Sequence, residues 1–167
     1  MESTMSLHEQ YMKELEMEAA SCRKCLERIP EKLFDWKPHE KSMSMRSLTQ
    51  VVSEIPLWIK HVVEQPDIDF ATFPHMQPKT TSELVKHFDE NLKGAEAALA
   101  HSTDKSLSDT FSLKNSGKVL ISTSKKESIG SSINHLVHHR GQLTVYMRLN
   151  NIPVPSIYGP SADEGKF

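Results

Sequence analysis

Two cysteines among 167 residues cannot build a disulfide framework, and that scarcity suits a reducing cytoplasm. No apolar run approaches the ~20 residues that a helical bilayer span needs. The opening stretch, MESTMSLHEQYMKELEMEAA, is acidic and has no apolar signal core, so no secretory signal is expected. Positive charge is not in excess either: 20 Lys and Arg stand against 22 Asp and Glu. A broad nucleic-acid surface needs a basic face to displace counterions from phosphates, so none is expected here. The glycine-rich phosphate loops, the G-x-S-x-G elbow and the G-x-G-x-x-G fingerprint are all missing. NTP hydrolysis, α/β-hydrolase chemistry and Rossmann cofactors therefore have no support. No repeat, low-complexity tract or linker divides the chain, so residues 1–167 are read as one domain.

What is present is helical periodicity. Leu7, Tyr11, Leu15, Ala19, Cys22, Leu26 and Ile29 recur three or four residues apart, which predicts a helix over Ser6 to Ile29, stopped by Pro30. Leu33, Phe34 and Trp36 follow as an apolar plug for one end of the fold. A second helix is predicted over Arg46 to Glu64, with Pro56 inside it. Residues 66–79 hold three prolines and read as a surface loop. Thr80-x-x-Glu83 is a capping box that opens a third helix reaching His101, and Ser124-x-x-Glu127 opens a fourth from Lys125 to Leu149. Between them, TFSL and KVLIST flank Asn115-Ser116-Gly117 and suggest a small hairpin. Four amphipathic helices predict an all-α four-helix bundle, with that hairpin before the last helix.

Nine histidines is a high count, and three of them fall in the run His135-Leu-Val-His138-His139. His135 and His139 lie one helical turn apart on one face, a spacing at which two imidazoles can converge on zinc or nickel. The same spacing suits two histidines on a solvated face, and a firm site needs a third ligand from another helix. Gln142 continues the stripe and is placed to orient a ligand or a water. His138 turns away.

The stretch WKPHEKSM (residues 36–43) and the run NHLVHHRGQLTVYMRLNNIPVPSIYGPSADE (134–164) resemble the DinB family, along with the spacing between them. The resemblance covers nearly the whole chain. It implies a four-helix bundle of the DinB/YfiT-like type, a homodimer, and a divalent metal held by three histidines. Two of these would come from an H-x-x-x-H on the last helix, which His135 and His139 match. The third would come from a second-helix pattern L-x-x-H-h-A-E-h-P, where h is apolar. Here that stretch reads Leu48-Thr49-Gln50-Val51-Val52-Ser53-Glu54-Ile55-Pro56, so Val51 stands where the histidine belongs. Three outcomes follow: a degenerate site, Glu54 as a substitute ligand, or Gln50 in that role. The resemblance also implies two functions. One is metal-dependent thiol transfer or hydrolysis through His135, His139 and Glu54. The other is a stress-linked binding or structural role without metal.

Two other features stand apart from that cluster. Cys22-Arg-Lys-Cys25 is a C-x-x-C inside the first helix, where core packing is favoured over redox chemistry. Arg140 is read either as an anion contact or as a partner for Asp163 or Glu164. The turn-rich tail from Ser156 is expected to fold back over the helices with Tyr158 as its anchor.

Overall fold

A computed structural model describes residues 5–165. Four helices carry the fold: α1 (Leu7–Leu26), α2 (Met45–Glu64), α3 (Thr81–His101) and α4 (Lys125–Leu149). Their starts follow from the capping chemistry. Ser6, Thr80 and Ser124 each form a reciprocal capping box with the glutamate three residues on, which satisfies amides that the first turn leaves free. α1 ends at Leu26, one turn short of the expected Ile29, yet Ile29 is fully buried all the same. α2 continues through Pro56 without a break.

The helices close on one core that includes Leu15, Leu26, Leu48, Ile55, Ile59, Phe88, Leu99, Ile129, Leu136 and Leu143. Phe34 is buried at its edge, and Leu33 and Trp36 pack against it. Trp36 meets Tyr146 edge-on at 5.4 Å between ring centroids.

The molecule is not purely helical. Strands β1 (Asp67–Asp69), β2 (Thr110–Asn115) and β3 (Lys118–Ser124) form one sheet in the order β1-β2-β3. β2 and β3 are the expected hairpin. Its turn residues, Ser116 and Gly117, both adopt positive φ, at 50° and 78°. That geometry suits a two-residue turn matched to the strand twist. β1 corrects the reading of residues 66–79 as plain loop. It pairs in parallel with β2, Asp67 opposite Ser112 and Ile68 opposite Leu113. The carboxylate of Asp69 then accepts from the amides of Ser116 and Gly117 at 2.9 and 2.7 Å, which ties this segment to the hairpin turn.

Candidate functional site

α2 and α4 run antiparallel, and three contacts fix their register. Lys125 Nζ donates to the Val63 carbonyl at 2.7 Å. The Trp58 ring faces His135 at 6.0 Å. The Tyr146 hydroxyl donates to the Met43 carbonyl at 3.1 Å. Val51 lies between Met43 and Trp58, so it stands level with the part of α4 that holds His139 and Gln142.

His135 and His139 are brought together, Nε2 to Nε2, at 2.7 Å. His139 Nδ1 lies 2.8 Å from Gln142 Oε1. Gln142, the next residue on the stripe, thus contacts the His139 ring. The short Nε2–Nε2 contact requires one ring to donate there and the other to accept, so at least one of the two imidazoles is neutral. Burial holds both histidines below the usual imidazole range, with neighbouring histidine charge adding to this at His135. Both rings are neutral at physiological pH. His138 is exposed, with its ring 5.1 Å from that of His139.

Three observations bear on the metal that the histidine pattern suggests. Two nitrogen ligands at ~2.0–2.1 Å on a tetrahedral zinc stand about 3.3 Å apart, so binding would have to break the His–His hydrogen bond. Glu54 is only 2% exposed but is engaged elsewhere. Its Oε2 accepts from His75 Nδ1 at 2.8 Å, and its Oε1 accepts from the Met76 amide at 2.9 Å and from Gln50 Nε2 at 3.2 Å. Among the described residues, no three His, Cys, Asp or Glu side chains gather in a group that could hold a metal ion. The residues present do not fit a three-ligand protein site. Gln50, the other sequence-level substitute, is bound to Glu54.

Beside the pair lies a cavity of about 310 Å³ between α2, the sheet and the first half of α4. One side is apolar, with Trp58, Ile68, Phe70, Phe111 and Leu113. The other is a polar stripe along α4, with Ser128, Ser131, Ser132 and His135 sharing one face because each lies three or four residues from another member. That stripe is legible in the sequence as S-x-x-S-S-x-x-H, but its apolar facing wall comes from distant segments. His75 was also beyond sequence reading. It sits in the proline-rich segment and meets Glu54 only through the fold.

Arg140 is not a tail-acid partner. It is 2% exposed and bonds the Glu18 carboxylate, the Glu18 carbonyl, the Ser21 hydroxyl and the Tyr158 hydroxyl. The tail acids pair elsewhere, Asp163 with Arg148 and Glu164 with Arg28. Tyr158 does anchor the tail: its hydroxyl also donates to Glu18 at 2.9 Å.

Cys22 and Cys25 are free and fully buried. Desolvation pushes their thiols up to about 12 and about 11. They sit near the C-terminal end of α1, where the helix dipole disfavours a thiolate. Neither thiol should react with a disulfide reagent at pH 8 in the native protein, and both should react in denaturant. Fast native labelling of either one would show that the packing around α1 is open.

Comparison with known proteins agrees with this architecture. The DinB family model matches residues 1–166. YrdA, an uncharacterized protein of Bacillus subtilis, is 56% identical over 32 residues, which is 19% of this chain and 19% of that protein's length. A solved DinB-like protein from Bacillus cereus superposes with a TM-score of 0.69 at 20% identity, covering 90% of this chain and 97% of its own. The DinB-like YjoA of Bacillus subtilis gives 0.68 at 19% identity, covering 86% and 96%. At these identities the two structures speak for the fold alone.

Proposed function

The chain belongs to the DinB family, and from that premise we propose that it is a four-helix-bundle member with a degenerate metal centre, acting as a small-molecule-binding protein. One observation carries this reading. The two histidines that match the family's H-x-x-x-H bond each other at 2.7 Å, and the second of them also meets Gln142 at 2.8 Å. Buried polar groups require partners, and three of the pair's four ring nitrogens find one with no cation. Val51 brings no donor to the position facing it. Glu54 already holds three hydrogen-bond donors, and turning it toward the histidine pair would disturb contacts that a buried carboxylate loses at a cost.

A second reading, metal-dependent thiol transfer or hydrolysis with Glu54 as third ligand, draws on the Gln142 contact. An acceptor on Nδ1 is also what orients a metal-bound imidazole. Elemental mass spectrometry of the purified, tag-free protein, with His135→Ala as control, separates the two. The expected result is less than about a tenth of an equivalent of zinc or nickel, before and after incubation with each metal. Near-stoichiometric metal that disappears in His135→Ala would overturn the proposal in favour of the enzyme.

A further inference from the structure

We infer that the cavity between α2, the sheet and α4 takes a free, uncharged alkyl compound of medium chain length, a fatty alcohol of about ten to twelve carbons. The inference names a ligand class for the small-molecule reading above and rests on that reading, but it uses no proton position on the histidine pair.

Size comes first. A dry cavity of ~150 Å³ holds one benzene, which is six carbon atoms. By the same measure the cavity here, at about 310 Å³, holds about twelve non-hydrogen atoms.

The mouth then favours a chain over a compact ring system. Ile121 lines the cavity and is also 57% exposed, so it stands at the rim. Val119 and Leu120, the two residues before it, are 49% and 52% exposed. Among the described residues this is the longest run of consecutive exposed large apolar side chains. It lies on β3, the outer strand of the sheet. Strands at a sheet edge are usually protected by charge or proline, and this stretch of β3 has neither. Exposed apolar surface next to an apolar cavity is a mark of a binding groove. A fused ring pair would fill the cavity and leave the rim in water. A flexible chain can fill it and continue across Ile121.

Charge selects the polar end. Among the described residues the lining holds no lysine or arginine. Its carboxylate, Glu127, is committed to the start of α4, where Oε2 accepts from the hydroxyls of Thr123 and Ser124 and from the Ser124 amide. Of the neighbouring lysines, Lys126 is exposed and Lys125 Nζ donates to the Val63 carbonyl. A charged end drawn into the cavity would lose its water and gain no counter-charge. An alcohol loses less, because the hydroxyls of Ser128, Ser131 and Ser132 belong to a group that both donates and accepts.

Isothermal titration calorimetry on the full chain, with its metal content already measured, tests this with 1-alkanols from six to twelve carbons, each below its solubility limit. One molecule should bind per chain. Affinity should rise roughly two- to fourfold for each added methylene from 1-hexanol to 1-decanol. Decanoate and decylammonium should each bind at least about fivefold more weakly than 1-decanol. Ile121→Ser should weaken 1-dodecanol about fivefold and change 1-hexanol little, since a short chain does not reach the rim. Ser131→Phe, at an exposed position on the lining, should fill the cavity and abolish binding of the whole series. Circular dichroism with a cooperative thermal transition would show that each variant is folded. Affinity independent of chain length, tighter binding of either charged analogue, binding retained in folded Ser131→Phe, or no binding at all would each overturn the inference. So would co-flotation of the protein with phosphatidylcholine vesicles, which would assign the apolar rim to a bilayer surface. Metal content keeps the two proposals apart: metal-free protein that ignores the alkanols sinks this inference alone, whereas stoichiometric metal sinks the reading beneath it.

Discussion

Arg140→Met is expected to destabilise the protein by about 3–5 kcal/mol, the usual cost of removing one partner from a buried ion pair. The guanidinium is 2% exposed and the Glu18 side chain 12%, so solvent screens the pair little. Methionine fills much of the space but strands the Glu18 carboxylate in the core. The Tyr158 hydroxyl, at 2.9 Å from both carboxylate oxygens, is then its main remaining partner. For a domain whose total stability is ~5–15 kcal/mol, that loss is a large fraction. Urea unfolding would read it as a fall in midpoint at constant slope. The tail should loosen too, because Tyr158 holds it through Arg140 and Glu18, and limited proteolysis should cut residues 153–165 faster. The double variant Glu18→Leu/Arg140→Met removes both charges and should recover most of the loss. A single-variant loss below about 1 kcal/mol, or a double variant no better than the single, would mean that the charges are hydrated and the network contributes little.

Val51→His is expected to convert the pair into a metal site. Position 51 stands level with His139 across the antiparallel α2–α4 contact, so a histidine there would add a third nitrogen from a second helix. Gln142 already fixes the Nδ1 side of His139 at 2.8 Å, a supporting contact that a ligating imidazole requires. Loss of such a supporting contact alone costs ~10–100-fold in affinity, so a whole added ligand should tighten zinc binding by at least about 100-fold. Competition against a chromogenic chelator measures this, and His135→Ala in the same background should reverse it. The variant should also gain thermal stability with zinc, since a ligand that binds only the folded state stabilises it by mass action. If Val51→His binds zinc no better than the parent, position 51 does not face the histidine pair, and the assignment of the missing ligand is wrong.

The starts of the helices, the hairpin and the histidine pair could be read along the chain because each depends on residues close in sequence. Ser124 and Glu127 fix the start of α4 by satisfying its first amides, and they lie three apart. The Asn115-Ser116-Gly117 turn follows from the few residues that tolerate positive φ. His135, His139 and Gln142 share a face because a helix places them there. The partners of buried polar groups were not legible. Arg140 could satisfy its five donors with any carboxylate within reach, and only the packing of α1 on α4 chose Glu18, 122 residues away, over the tail acids. Glu54 is bound by His75 because β1 pairs with β2 in parallel and carries the proline-rich segment back over α2, a pairing that no local periodicity encodes. The cavity has the same origin: its serine stripe is written in α4, but its aromatic wall is assembled from Trp58 of α2, Phe70 just after β1 and Phe111 of β2. Local hydrogen bonding and periodicity thus determined the helices, the hairpin and half of the site, whereas β1 and the choice among equivalent buried partners were tertiary decisions, made by which surfaces the core brought into contact.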